Sequence, residues 1–240
     1  MSSSRSSLSL SLRFLAICAL TGCRAEATSD DVGGSTASPR PAADSRATVV
    51  FLGNSLTAGL GVSPLEAFPA LVQVKIDGAG LPFRVINAGI SGETTVGGLS
   101  RIDWVLEHSP SVLVLALGAN DALRGTPPDT IRSNLQRIID RTRERFPDAV
   151  VVIAGMLAPP NMGETYTAAF RSVFTNLAVE NGAPLVPFLL EGVAADPSLN
   201  QPDGIHPTAK GHEIIADTVW DELRGVLEGL AAQDIRVGAQ

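Results

Sequence analysis

The sequence predicts an α/β fold: a single three-layer α/β/α sandwich around a parallel five-stranded sheet, with the flavodoxin-like strand order 2-1-3-4-5. Two observations predict it. From residue 48 onward, short apolar runs rich in β-branched residues alternate with longer segments whose apolar residues recur at helical spacing. Strands that alternate with helices form βαβ units, and these units require parallel pairing with right-handed crossovers.

Length and composition narrow the class of protein. A chain of 240 residues is long enough for one domain with a sizeable core and an additional segment. Its apolar share of 45% and its charged share of 18% are typical of a globular protein. The formal net charge of −7 argues against nucleic acid, and against an anionic membrane surface, as the main partner.

The first 23 residues have the pattern of a secretory signal. Arg5 and Arg13 lie in or beside a Ser-rich start, and the apolar run 14–20 that follows is too short to span a bilayer. The stretch 20–23, Leu-Thr-Gly-Cys, resembles the bacterial lipobox, in which the cysteine is lipidated and becomes the first mature residue. We therefore expect a lipoprotein anchored through Cys23 to a membrane of the periplasm or cell envelope. The alternative is an ordinary cleaved signal peptide in which Cys23 has no role.

Residues 24–47 consist mainly of Ala, Ser, Asp, Gly and Pro, with almost no large apolar side chain. Such a segment cannot bury enough surface to offset the entropy lost when it becomes ordered. We predict a disordered linker here, followed by the folded domain over 48–240. Both cysteines, Cys18 and Cys23, precede that domain, so we expect it to have no disulfide, no metal–thiolate site and no cysteine nucleophile.

Strands and helices are predicted to alternate along the domain. The apolar runs predict strands at 49–52, 82–88, 111–117, 149–154 and 184–188. Helical spacing predicts helices at 64–76, 95–108, about 127–146, 164–181 and 208–227. The first of these helices is expected to bury Leu65, Phe68, Leu71 and Val72, and the third to begin after an N-cap at Thr126.

A serine follows the first strand directly, in the segment Gly53-Asn54-Ser55. The carboxyl ends of strands are where open α/β sheets bind their ligands, so Ser55 is a candidate nucleophile. On position alone, Ser55 could instead be a helix N-cap or part of an anion site at a helix N-terminus. The segment lacks the second glycine of the Gly-x-Ser-x-Gly elbow, so an α/β-hydrolase is not indicated.

The loops after the second and third strands add Gly92 and Asn120 at the same edge of the predicted sheet. Acyl transfer needs a nucleophile, a base, a group that orients the base, and donors aimed at the developing oxyanion. Glycine allows close approach to its backbone N–H, and asparagine offers a neutral side-chain donor. These two residues therefore suit an oxyanion hole.

Three histidines could supply the base. We expect His108, near a helix C-terminus, and His212, a solvated or edge-of-core ring inside the last helix, to be structural. His206 differs because Asp203 precedes it by three residues across a glycine, which lets the carboxylate reach Nδ1 and leaves Nε2 for Ser55. Taken alone, the Asp203–His206 pair could equally be a loop hydrogen bond or half of a metal site.

Four short stretches together resemble the signature of the SGNH (GDSL) hydrolase superfamily. They are Gly-Asn-Ser-Leu-Thr at 53–57, Ser-Gly-Glu-Thr at 91–94, Gly-Ala-Asn-Asp at 118–121 and Asp-Gly-Ile-His-Pro at 203–207. Within the superfamily the chain is most similar to the bacterial multifunctional thioesterase I / lysophospholipase / arylesterase group. One departure is Asn54, where the family more often has Asp.

The resemblance implies a site and an activity. Ser55 would be the nucleophile, His206 the base and Asp203 its orienting partner, while the Ser55 and Gly92 N–H groups and the Asn120 side chain would form the oxyanion hole. The enzyme would hydrolyse aryl esters, short to medium acyl esters, thioesters or lysophospholipids through an acyl-enzyme, as a monomer with no metal or organic cofactor. The stretch 156–166 would be a mobile substrate loop.

Two alternatives remain at this point. One is a carbohydrate O-deacetylase of the same superfamily. The other is a lipoprotein that binds a phosphate or acyl ligand without chemistry, although mere binding would not require Asp203 and His206.

Overall fold

The computed structural model describes residues 44–238, with side chains as far as residue 233. The predicted signal segment, its Cys23 and the predicted linker up to residue 43 lie outside the described residues. Among residues 44–238, no helix has an apolar stretch of sufficient length to cross a membrane.

The described chain forms one parallel sheet of five strands in the order β2-β1-β3-β4-β5, which confirms the predicted topology. The strands are β1 Ala47–Gly53, β2 Phe83–Gly89, β3 Pro110–Ala116, β4 Val150–Ala154 and β5 Leu185–Val186. Val49, Val50, Phe51 and Leu52 are all fully buried, because β1 lies between β2 and β3 with helices over both faces of the sheet.

The register of β1 determines where the following loops emerge. Gly53 lies opposite Gly89 on one side and opposite Ala116 on the other, so β1, β2 and β3 end level with one another. The loops that follow these three strands consequently leave the sheet side by side. Gly89 also lies against the backbone of the turn that follows β1. A Cβ atom at position 89 would stand only 2.4 Å from the Ala58 nitrogen, so this position requires glycine.

Helices cover the sheet in two layers, with α2 packed against α8 and with α6 packed against α3 and α7. The helices are α1 Ser55–Ala58, α2 Phe68–Gly78, α3 Thr95–Ser100, α4 Ile102–Val105, α5 Ala119–Leu123, α6 Pro128–Arg145, α7 Glu164–Asn181 and α8 Ala209–Gly238. Short 3₁₀ turns occur at Leu106–His108 and Pro160–Met162.

The first long helix begins later than predicted, at Phe68 rather than at residue 64. A helix from residue 64 would place Pro69 in its interior, where proline lacks the required N–H and its ring clashes with an earlier carbonyl. Starting at Phe68 puts Pro69 in the first turn, where no such N–H is needed. Leu65 therefore lies outside the helix and is 80% exposed, so its predicted place in the core is wrong.

The predicted helix 95–108 is divided into α3, α4 and a 3₁₀ turn. The break falls at Arg101, whose φ of −112° leaves the helical range. The Arg101 side chain instead turns inward, where its Nη2 donates to the carbonyl of Ala88 at 2.6 Å. Two adjacent glycines, Gly97 and Gly98, lower the helix propensity of α3 and make the interruption less costly.

Smaller differences occur at other element ends. α6 begins one residue later than expected, with Pro127 at the N-cap and no side-chain cap, so the predicted Thr126 cap is wrong. β5 is only two residues long because Pro187 has no N–H to extend the pairing. β1 starts inside the predicted linker at Ala47, and the neighbouring Arg46 pairs with Asp77 of α2 at 3.1 Å.

His212 corrects another expectation, since it is neither solvated nor at the edge of the core but fully buried. Its Nδ1 accepts a hydrogen bond from the Phe68 N–H at 3.2 Å, and its ring stacks on that of Phe68 with the centroids 6.2 Å apart. Burial lowers the pKa of His212 from 6.5 to about 4. A neutral His212 therefore joins α8 to the start of α2.

We predict that His212 makes the fold sensitive to mild acid. Between pH 6.5 and 4 the unfolded chain binds a proton at this residue and the folded chain does not, so the free energy of unfolding falls as the pH falls. The expected loss from this residue is about 3 kcal/mol. Urea unfolding of the wild type and of His212→Asn, at several pH values across this window, measures it.

The Asn variant keeps an acceptor for the Phe68 N–H but does not titrate, so its stability should depend less on pH over the same window. His108→Asn is the matched control, because His108 is only half-buried at the end of the 3₁₀ turn beside Trp104. Equal pH dependence in wild type and His212→Asn would contradict this role for His212.

Candidate active site

The turn after β1 presents Ser55 at the sheet edge as the first residue of α1. The N-cap of this helix is Asn54, whose Oδ1 accepts a hydrogen bond from the Leu56 N–H at 3.0 Å. The capping function thus falls to Asn54, and the Ser55 hydroxyl is free for another partner. Asn54 is 1% exposed and Ser55 is 7% exposed, so the turn is rigidly packed while its serine borders a cavity.

That other partner is His206, which lies 151 residues further along the chain. The Ser55 Oγ stands 2.9 Å from Nε2 of His206, and Nδ1 of the same ring stands 2.7 Å from Oδ2 of Asp203. An ionised Asp203 accepts a hydrogen bond from Nδ1–H, so this nitrogen keeps the proton and the Nε2 lone pair faces the serine hydroxyl. The structure therefore brings all three predicted residues into one hydrogen-bonded chain.

Asp203 is fixed by its own loop. Its Oδ1 accepts hydrogen bonds from the N–H groups of Ile205 and His206, each at 3.0 Å. The Gln201 N–H closes the loop by donating to the His206 carbonyl at 2.7 Å. The hydrogen bond from His206, followed by those from the two backbone N–H groups, lowers the pKa of Asp203 to about 2. The carboxylate consequently stays charged throughout the neutral range.

Gly92 and Asn120 lie beside Ser55 in the wall of the same cavity. Gly92 has a φ of +80°, a backbone conformation that glycine adopts without strain. The Nδ2 of Asn120 donates one hydrogen to the carbonyl of Glu93 at 2.9 Å. An amide nitrogen carries two hydrogens, so the second stays available to the cavity.

Further side chains hold these loops in place through buried hydrogen bonds and an ion pair, and the sequence alone did not indicate these contacts. Glu93 is buried and forms a two-point ion pair with Arg101, whose Nε donates to Oε1 at 2.6 Å. Asp121 is also buried and accepts two hydrogen bonds from Thr95. The signals in the sequence were that Glu93 and Asp121 directly follow Gly92 and Asn120 and belong to the same two signature stretches.

The cavity next to Ser55 has a volume of about 530 Å³. Apolar side chains form most of its wall, namely Leu56, Leu60, Ala119, Leu123, Met156, Leu157, Ala158, Pro159, Pro160, Phe188, Leu190, Ala194, Ala195 and Ile205. None of the residues that line it is Asp, Glu, Lys or Arg. The space therefore suits an uncharged, apolar group close to the serine.

The predicted substrate loop 156–166 contributes to this wall only in its first half, through residues 156–160. Its second half enters α7 at Glu164. The Tyr166 hydroxyl donates to the carbonyl of Thr126 at 2.8 Å, which ties this end of the stretch to the start of α6. Tyr166 is not among the residues that line the cavity.

Comparison with known proteins gives consistent results. The model of the GDSL-like lipase/acylhydrolase family matches residues 51–214. Esterase TesA of Pseudomonas aeruginosa is 37% identical over 181 residues, covering 75% of this chain and 89% of that protein. The thioesterase 1/protease 1/lysophospholipase L1 of Escherichia coli K12 is 35% identical over 178 residues, covering 74% and 83%.

Solved structures with the same fold include the psychrotrophic esterase EstA from Pseudoalteromonas sp., in a form inhibited by monoethylphosphonate. It superposes with a TM-score of 0.71 at 34% identity, covering 75% of this chain and 98% of that one.

Proposed function

The chain belongs to the GDSL-like lipase/acylhydrolase family, and from that premise we propose that it is a serine hydrolase of carboxylic esters and thioesters. The observation that carries the proposal is the hydrogen-bonded chain from Ser55 through His206 to Asp203. A serine hydroxyl is a weak nucleophile until a neighbouring base removes its proton. Here the base is present, and its second nitrogen is held by a charged carboxylate.

In the first half of the reaction, the Ser55 Oγ attacks the substrate carbonyl carbon while its proton passes to Nε2 of His206. The Asp203 carboxylate stabilises the imidazolium that forms. When the tetrahedral intermediate collapses, the bond to the leaving alcohol or thiol breaks and Nε2 returns the proton to that group. A water molecule then repeats the sequence on the acyl-enzyme and releases the carboxylic acid and free Ser55.

Charge develops on the carbonyl oxygen during each attack, and donors must face it. We assign this role to the N–H groups of Ser55 and Gly92 and to the second hydrogen of Asn120 Nδ2. Since Asn120 is already fixed to the Glu93 carbonyl, its donor needs little reorganisation when the oxyanion forms.

The lining of the cavity supports an apolar acyl or aryl group as the part of the substrate that lies next to Ser55. A charged group would lose its hydration there without gaining a partner, because no lining residue has a charged carboxylate, ammonium or guanidinium group. The relatives that are named esterase and thioesterase/lysophospholipase fit this substrate class. The apolar wall does not favour the hydroxyl-rich substrate of a carbohydrate deacetylase.

We also propose that the enzyme is a lipoprotein of the cell envelope, anchored through Cys23. The lipobox-like stretch 20–23 after a short apolar run supports this, and so does a linker composition that would hold the domain away from a membrane.

Ser55→Ala should remain folded and lose nearly all turnover of p-nitrophenyl esters, because Ser55 is the cavity-lining serine whose hydroxyl is hydrogen-bonded to a histidine. Ser91→Ala is the matched control, since Ser91 is the other serine that lines the cavity, and it should lower kcat less than tenfold. Steady-state kinetics with thermal melts decide the assignment. A folded Ser55→Ala variant with retained turnover would place the nucleophile elsewhere.

Asn120→Ala should lower kcat by about 10²–10³ and leave KM nearly unchanged, because an oxyanion donor acts mainly in the transition state. Asn120→Asp should be at least as damaging, since a carboxylate repels the oxyanion that it faces. If Asn120 served only to cap its turn, Asp would substitute well. An active and stably folded Asn120→Asp enzyme would remove this residue from the oxyanion hole.

If Cys23 is lipidated, the full-length protein expressed in a Gram-negative bacterium should fractionate with membranes, and Cys23→Ser should be soluble. Cys18→Ser is the control, as it changes the other cysteine of the same segment. Immunoblots of membrane and soluble fractions give the result. Wild-type protein in the soluble periplasmic fraction would contradict the anchor.

A further inference from the structure

We propose that Asp121 is a positioning residue that sets the geometry of the oxyanion hole without contacting the substrate. The inference rests on the proposed function, since it concerns how two of the assigned donors are placed. Asp121 is only 2% exposed. It is not among the residues that line the cavity, although it directly follows Asn120 in the chain.

Both oxygens of Asp121 bind the same residue on the neighbouring loop. Its Oδ2 accepts the Thr95 N–H at 2.8 Å and its Oδ1 accepts the Thr95 hydroxyl at 2.7 Å. Thr95 is the first residue of α3, and the N-cap residue Thr94 makes no side-chain capping bond. Asp121 thus caps α3 from another loop, where a carboxylate also interacts favourably with the helix dipole.

The loop after β3 makes two more contacts with the loop after β2. Asn120 Nδ2 donates to the Glu93 carbonyl at 2.9 Å, and Arg124 Nη2 donates to the Gly92 carbonyl at 3.2 Å. Residues 92, 93 and 95 are therefore each bound to residues of a single helical turn. Of the three contacts, the one made by Asp121 is the most deeply buried, and it consists of two hydrogen bonds to one carboxylate.

Two of the assigned donors, the Gly92 N–H and the Asn120 amide, consequently lie on loops that Asp121 joins. Gly92 lies three residues before Thr95, and Asn120 lies one residue before Asp121. Loss of the carboxylate would let the loops move apart and would shift the Gly92 N–H relative to the Asn120 amide. A displacement of about 1 Å in such a group can cost on the order of 10²-fold in rate.

Asp121→Asn is therefore expected to lower kcat by about 30- to 100-fold and to change KM by less than about threefold. Thr95 supplies a second route that leaves the buried carboxylate in place. Thr95→Val removes the bond from the hydroxyl to Asp121, together with the bond that the hydroxyl accepts from Asn134 Nδ2 at 3.1 Å, and keeps the backbone bond. It should therefore lower kcat less than Asp121→Asn. Thr95→Ser keeps the hydroxyl that Thr95→Val lacks, so its kcat should be close to that of the wild type.

Thr142→Val is the matched control for loss of a buried hydroxyl. Thr142 is fully buried, and its Oγ1 donates to the Ile138 carbonyl at 2.8 Å within α6. This variant should lose stability with kcat unchanged. If Thr95→Val and Thr142→Val lose stability to a similar extent but only Thr95→Val lowers kcat, positioning is supported. If neither lowers kcat, the proposal is overturned.

A double-mutant cycle with Asn120→Ala gives the decisive readout. If Asp121 acts through the donors, its substitution should cost much less once Asn120 is already absent. The fold-loss in kcat of the double variant should therefore be smaller than the product of the two single fold-losses by fivefold or more. A smaller coupling would overturn the proposal. The proposed function is tested separately, by comparing turnover of the wild type with that of Ser55→Ala. The Asp121 and Thr95 variants are then compared with a wild type that is already known to be active.

Discussion

Parallel pairing of β1 with both of its neighbours is the constraint on which the site depends. The pairing sets Gly53 level with Gly89 and with Ala116, so the three strands end in one row. Because β1 is paired along its length with β2 on one side and with β3 on the other, the loops that follow these strands start from fixed positions. Ser55, Gly92 and Asn120 are separated widely in sequence, yet the sheet places them around one cavity.

The fourth loop reaches that cavity by a different route. It lies between β5 and α8 and is shaped mainly by its own hydrogen bonds, including those from its backbone to Asp203. Asp203 stays charged because His206 and two backbone N–H groups of this loop donate to it, and because nearly half of its side chain is exposed to water. His206 is more enclosed, since it lies between that carboxylate and Ser55, and the apolar wall beyond the serine keeps competing charges away.

The parts of this arrangement that depend on local patterns could be predicted from the sequence. Apolar runs followed by small polar residues indicated the strand order and the sheet-edge position of Ser55, and the short spacing of Asp203 and His206 indicated their contact. The bounds of α7 were also predictable, because its flanking residues and apolar spacing agree. These features need no knowledge of distant partners.

Other features depend on partners that the sequence does not identify. The break at Arg101 follows from a buried pair with Glu93 and a bond to the Ala88 carbonyl, which only the folded chain brings together. His212 lies in the core because Phe68, 144 residues away, supplies an N–H for its ring. The role of Asp121 likewise depends on Thr95, which local spacing could not reveal.

Peptide mapping after reaction with an alkyl fluorophosphonate tests most directly whether these four loops form a serine hydrolase site. The reagent forms a stable bond with a serine only where a base activates the hydroxyl and donors stabilise the developing charge on oxygen. We expect a single adduct on Ser55 in the wild type and very slow labelling in His206→Ala. An unmodified wild-type protein, or an adduct on Ser91 instead, would contradict the proposed site.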